Sequence, residues 1–255
     1  MAMRSTLLPL LLGALALAAL AGCADPSGNG LISEHMPSPL PPDAAIPVEY
    51  PAPAAGFGIT AGAIIQNFSF QGFQDPELST DLSTVQLADF YNPHLDDPSY
   101  MPLPGADDDR FYPPGSLYNA GAKTLQPKPR ALLIDISSVW CGPCNQEAKD
   151  VLPGRYAMYK PCGGQFLFQL AQGPNSGTPA TEQNLLAWTS AYKVNYPSSI
   201  DMLNQLSTLY GGQTFPDEVI IDTRTMAIVS VVTAVPDDEF WSTYEGQLTP
   251  GCLAH

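Results

Sequence analysis

The stretch Val139-Trp140-Cys141-Gly142-Pro143-Cys144 constrains this chain more than any other. It follows a nearly unbroken apolar run, ALLIDIS at 131–137, which reads as a parallel strand buried on both faces. It leads into CNQEAKDVLPGRYAMYK (144–160), which reads as a helix kinked at Pro153. The two cysteines therefore sit where a buried strand hands over to a helix. Thiols at this spacing bind a metal, staple a small loop, or exchange a disulfide with another molecule. A zinc site wants a second cysteine pair or histidines at ligand spacing. His35, His94 and His255 are scattered, and none is near the motif. A staple across one turn restricts the unfolded chain little.

Exchange accounts for the residues best. The thiolate is the reactive form, and an ordinary cysteine near pKa 8.5 is mostly protonated at neutral pH. At a helix start, unpaired N–H groups and the positive end of the dipole stabilise the Cys141 sulfur as an anion. Cys144 lies one turn on and can reach it. Cys141 attacks a partner disulfide, and Cys144 resolves the mixed disulfide. Gly142 permits a tight entry, and Pro143 suits a first helical turn. The electrons ride on the two sulfurs, so no organic cofactor is implied.

Further elements follow at regular intervals. QFLFQLAQ (165–172) reads as a second strand. TPATEQNLLAWTSAYKV (178–194) reads as a helix capped by Thr178, with Pro179 at its first position and Leu185, Leu186, Thr189 and Tyr192 facing inward. MLNQLSTLYGG (202–212) is a short helix closed by glycines. DEVIIDT (217–223) and MAIVSVVTA (226–234) form an antiparallel hairpin. DDEFWSTYEGQL (237–248) is a last helix capped by Asp237 or Asp238.

This order, with Trp140-Cys141-Gly142-Pro143-Cys144 and a proline immediately before a strand at Pro216, resembles the thioredoxin superfamily. It resembles in particular the exported, membrane-anchored TlpA/ResA-like (redoxin) branch. The resemblance covers about residues 57–91 and 130–250. It implies an α/β fold: a central mixed β-sheet flanked by helices, with an N-terminal β-hairpin extension (62–91) and an inserted loop (92–129). It implies a cis peptide at Pro216 facing the dithiol, with the backbone of Phe215 pairing with an extended substrate segment. Phe215 departs from the small or β-branched residue usual there; its ring either narrows substrate choice or simply packs. Asp135, six residues before Cys141, matches a buried aspartate of thioredoxins that takes the proton of the resolving thiol. The alternative is a strand-end aspartate facing solvent. Glu147 matches a glutamate common in the exported branch, or is a solvated helix residue. By the family topology, the helix after the motif and the last helix run the same way on one sheet face. Cys162 and Cys252 follow them and would be bridged; otherwise they stay free.

The start of the chain carries a second signal. One early charge, Arg4, precedes an uncharged apolar run from Leu7 to Ala21, too short for a comfortable membrane span of about 20 residues. It has the build of a secretory leader. Leu20-Ala21-Gly22-Cys23 resembles the lipobox of bacterial lipoproteins, which implies cleavage before Cys23 and lipidation of its thiol. The expected organisation is a leader at 1–22, a Pro-rich tether at 23–55 and a domain at 56–255. Ala24 rather than aspartate favours the outer membrane, with the chain on the periplasmic side of a bacterial envelope. There disulfides persist, so a reductase needs a donor, and a membrane dithiol carrier is the expected partner beside protein disulfide or dithiol substrates.

Composition narrows the field. A 45% hydrophobic chain of 255 residues has enough apolar mass for one sizeable core. Twenty-five acidic against 10 basic residues, net −15, argue against nucleic acid and against a basic face on anionic lipid. Asp96, Asp97, Asp107, Asp108 and Asp109 in the insertion read as a solvated acidic loop and do not fit a calcium pattern. The insertion's aromatics cover a core edge or form a substrate groove. Three competitors are weaker. A peroxidase would need a P-x-x-x-T-x-x-C arrangement, which is missing. A copper-binding metallochaperone of this fold typically has wider cysteine spacing and a histidine near the cis-proline. A non-catalytic partner-binding module has no need of an intact motif.

Overall fold

The computed structural model describes residues 49–102, 107–114, 116–119, 123–212 and 214–253. The leader, Cys23, His35, His255 and most of the expected tether lie outside them. Packed structure begins before residue 56, because the Tyr50 hydroxyl donates to the Ile65 carbonyl at 2.8 Å.

The ALLIDIS run becomes the centre of a mixed sheet. Strand β5 (Ala131–Ser138) is buried at every residue. It pairs in parallel with β6 (Gly164–Gln172) and antiparallel with β8 (Asp217–Asp222). Beyond β6 lies the parallel β7 (Ser198–Ile200), and beyond β8 the antiparallel β9 (Ala227–Val232). The hairpin of β1 (Ser69–Phe73) and β2 (Ser83–Gln86) joins the β7 edge. The order is β2-β1-β7-β6-β5-β8-β9. Strands with neighbours on both sides and cover on both faces have no wet face, which explains the continuous apolar runs.

Four helices pack on one face: α1 (Gly142–Asp150), α2 (Leu152–Tyr159), α3 (Glu182–Tyr192) and α4 (Asp238–Glu245). Ala148, Tyr156, Trp188 and Tyr244 meet Leu133, Phe166 and Phe168 there. Two strand-helix-strand crossovers stepping the same way across a sheet place their helices on one face. The other face is covered by Ile65, Leu87, Phe90, Leu206 and Tyr210.

The helix after the motif is kinked at Pro153, as expected: only Val151 (φ −116°, ψ −61°) separates α1 from α2, and its N–H and carbonyl still bond to Glu147 and Arg155. Other local details differ from expectation. Helix α3 is capped by Thr181, not Thr178, and Asn184 completes a reciprocal capping pair. Residues before it are engaged with the end of β6, since the Ala180 N–H donates to the Ala171 carbonyl. Trp188 is buried while Leu186 is 43% exposed, so Trp188 takes the inward place given to Leu186. The 202–212 segment holds one 3-10 turn, Ser207–Tyr210, and the Asp201 carboxylate accepts from the N–H groups of Gln205, Leu206 and Ser207.

The acidic insertion is tied down rather than free in solvent. Asp96 receives both Arg130 and Arg224, Asp108 receives Arg110, and Asp109 meets His94. Tyr112 and Tyr118 donate to the carbonyl and carboxylate of Asp89 at 3.0 and 2.7 Å. Arg130 precedes the start of β5 and Arg224 follows the end of β8. The insertion therefore closes the sheet end away from the motif, and its aromatics cover a core edge rather than a groove beside the dithiol. A short pair, β3 (Phe111–Tyr112) with β4 (Gln126–Pro127), is its one regular ladder among the described residues.

Candidate functional site

Strand β5 ends at Ser138 and Cys141 caps α1 in an extended conformation (φ −77°, ψ 111°). Its Sγ accepts from the Cys144 backbone N–H at 3.1 Å, so a first-turn amide points at the sulfur. Pro143 opens the helix, as expected. Gly142 does not need its conformational freedom: its φ is not positive, and a side chain there would meet nothing within 4 Å. Cys141 and Cys144 are joined in a disulfide, and both are buried, at 3% and 1% exposure.

Trp140 and Phe215 frame Cys141. Their rings meet edge to face at 5.9 Å, and Trp140 is pinned by its Nε1–H to Gln172 Oε1 at 2.9 Å. Gln172, at the end of β6, was not legible as a site residue. The Phe215–Pro216 peptide is cis, and the Phe215 carbonyl oxygen lies 3.4 Å from Cys141 Sγ. A strand-helix dithiol, two parallel neighbours, an antiparallel hairpin and a cis-proline against the sulfur now stand together. The fold is thioredoxin-like.

No protein-family model and no curated protein sequence matches the chain. Among solved structures, the thioredoxin-like domain is similar to the thioredoxin domain of a thiol-disulfide oxidoreductase from Bacteroides vulgatus. The identity is 14% and the TM-score 0.47, over 74% of this chain and 98% of that one. The exposed lipoprotein thioredoxin of Streptococcus pneumoniae gives 17% identity and a TM-score of 0.43, over 71% and 99%. The reduced 2-Cys peroxiredoxin of Plasmodium vivax gives 12% and 0.48, over 74% and 96%.

Beneath the thioredoxin-like dithiol lies a group of buried carboxyls. Asp135 is 3% exposed and accepts from the Ser137 hydroxyl at 2.6 Å, so it does not face solvent. Burial raises its pKa to about 7. Glu147 is also 3% exposed, and burial, aided by the charge of Asp135, raises it to about 8. Asp217 and Glu218, directly after Pro216, are fully buried. Burial raises Asp217 to about 7 and drives Glu218 well above the usual carboxyl range. Sequence reasoning passed over this pair because two acids at a strand start look like a wet end. The available signal was position: a strand directly after the cis-proline lies mid-sheet.

Cys162 and Cys252 are bonded to each other across 90 residues. The Thr249 N–H donates to the Cys162 carbonyl at 3.0 Å beside the bridge. This bridge lies at the end of the sheet where β6 begins, away from Cys141. A cavity of ≈ 310 Å³ opens at that same end, lined by Tyr112, Tyr118, Tyr156, Lys160 and Gln165. Among the described residues no acid, histidine and cysteine cluster is arranged to hold a metal, and no helix is long and apolar enough to cross a membrane.

Proposed function

We propose that this chain is an extracytoplasmic thiol-disulfide oxidoreductase that reduces protein disulfides through Cys141 and Cys144. One observation carries the reading: Cys141 Sγ caps α1, is bonded to Cys144, and lies against the carbonyl of a cis peptide. In the reduced protein the Cys141 thiolate attacks a substrate disulfide. A Cys141–substrate bond forms, and the first substrate sulfur leaves as a thiolate that takes a proton from water. Cys144 gives its proton to Asp135, and its sulfur attacks Cys141. The Cys141–Cys144 bond forms, and the second substrate sulfur leaves. Two electrons pass from the enzyme dithiol to the substrate disulfide. Phe215 and Pro216 supply a backbone edge for an extended substrate segment, with Trp140 as an apolar wall.

The Gly-Pro dipeptide between the cysteines supports the reducing direction. A lipid at Cys23 would hold the domain at the envelope, with a membrane dithiol as donor. The residues between Cys23 and the fold would let it range up to about 80 Å from the bilayer at about 3 Å per residue.

Insulin reduction by dithiothreitol tests the reading. The protein from Ala24 onward accelerates precipitation of the insulin B chain. The same protein, reduced and then blocked with iodoacetamide, does not. Equal rates with native and blocked protein would overturn the proposal, and stoichiometric copper retention without turnover would favour a metallochaperone.

A further inference from the structure

We propose that Glu218 is a positioning residue for the exchange: it stays protonated on the sheet beneath the disulfide and donates its O–H to the Asp135 carboxylate when Asp135 ionises. The proposal rests on the exchange reading above and adds to it a second carboxyl.

Strand β8 runs between β5 and β9, and its register sets Glu218 opposite Asp135 on one side and Val232 on the other. Directly opposed residues share a sheet face. Glu218 is 0% exposed, and neither of its oxygens receives a hydrogen bond. Glu147 enters from α1 onto the same group, and both its oxygens are also without a partner. The buried phenol of Tyr196, before β7, lies near all three, and its oxygen has no partner either. Asp217 is the neighbour along β8. None of the ion pairs formed by the described Lys, Arg and His residues includes Asp135, Glu147 or Glu218.

Two buried carboxylates side by side, with no Lys, Arg or His among the described residues paired to them, repel each other when both are charged, and they can bond to each other only through a proton. One carboxyl of the pair must stay neutral. Asp135 already accepts the Ser137 hydroxyl, which favours its charged form, whereas Glu218 is 0% exposed with no donor to either oxygen, so the proton falls to Glu218. Cys144 is 1% exposed, so its proton has to be exchanged inside the protein. In the oxidising step the proton on Cys144 Sγ moves to the Asp135 carboxylate, and the sulfur anion attacks Cys141 Sγ. The thiolate then forms beside two neutral carboxyls. In re-reduction the same proton returns from Asp135 to Cys144 while Glu218 keeps its own.

Substitutions at Glu218 and Asp135, with infrared spectra, test this. The rate at which Cys144 resolves a mixed disulfide is followed against pH by stopped flow. Glu218→Leu removes the donor, so the acid limb moves up by at least about one pH unit, and the rate at pH 7 falls about fivefold or more. Glu218→Gln keeps an N–H donor and restores the wild-type limb. Asp135→Asn loses the limb, and Glu218→Leu added to it moves nothing further. Infrared spectra of the reduced protein at pH 8, taken in a Glu147→Gln background so that Glu147 adds no signal, show a protonated carboxyl stretch that Glu218→Gln removes and Asp135→Asn retains. A Glu218→Leu limb at the wild-type pH, or a stretch that Glu218→Gln leaves undiminished in the Glu147→Gln background, would overturn the proposal. If Glu218→Leu does not fold, the infrared comparison decides alone. Absent turnover in the wild type would sink the exchange reading, and the infrared result would still be read separately.

Discussion

Cys141→Ser and Cys144→Ser fail in different ways. Cys141→Ser brings insulin reduction down to the uncatalysed background, about three orders of magnitude or more below wild type, because a serine hydroxyl at the same helix start is not an exchanging nucleophile. Cys144→Ser still attacks. Its Cys141 Sγ keeps the amide at the cap and the Phe215 carbonyl beside it. With no second sulfur to finish the reaction, a covalent enzyme–substrate adduct builds up at about one per enzyme. Non-reducing electrophoresis shows the adduct, and dithiothreitol dissolves it. The asymmetry follows from the structure. Cys141 Sγ sits at the helix start between the Cys144 amide and the Phe215 carbonyl, whereas Cys144 lies one turn into α1 at 1% exposure. An adduct trapped on Cys144 in the Cys141→Ser variant would reverse these roles.

Stability, not turnover, is lost in the double variant Cys162→Ala/Cys252→Ala. The bridge spans a sequence separation of 90 residues, and a closed loop of that size stabilises by about 4–5 kcal/mol on the chain-entropy model. For a domain of this size that lowers the melting temperature by about 10–15 °C. Scanning calorimetry of oxidised wild type and variant measures the difference. Insulin reduction well below the melting temperature stays within about twofold of wild type, because the bridge ties α2 to the segment after α4 at the far end of the sheet. An unchanged melting temperature, or a large loss of turnover at low temperature, would contradict this division of labour.

Much of the fold was legible because the sheet's centre leaves no choice of side chain. Strands β5 and β6 are covered on both faces, so Leu132, Leu133, Phe166 and Leu167 had to be apolar, and a run of them marks the place. Asp135 stood out for the same reason: it interrupts such a run. Helix boundaries were harder. Thr178 and Thr181 are both competent caps, and the choice fell to the backbone bonding of 178–180 with the end of β6. Leu186 and Trp188 could not be ranked from the segment alone. The inward place went to the larger ring, which stacks on Phe168 at 5.2 Å. Asp217 and Glu218 escaped notice because charge in sequence reads as contact with water, and Glu147 stood out only through the resemblance. Their burial comes from neighbours far along the chain: β5 and β9 beside Glu218, and the sheet beneath α1. The insertion's acids read as solvated for the same reason, whereas Asp96 is held by Arg130 and Arg224 from outside it, and Asp108 and Asp109 by Arg110 and His94 within it.

The titration of the Cys141 thiol in reduced protein tests the central claim most directly. In the Cys144→Ser variant, with Cys162 and Cys252 still bridged, the rate of alkylation by iodoacetamide is measured from pH 4 to 10. A sulfur held by a helix-start amide reaches half its limiting rate below the ordinary thiol value of about 8.5 and reacts readily at neutral pH. A rate that stays negligible until above about pH 8.5 would mean that the helix start does not activate this sulfur, and the oxidoreductase reading would fall with it.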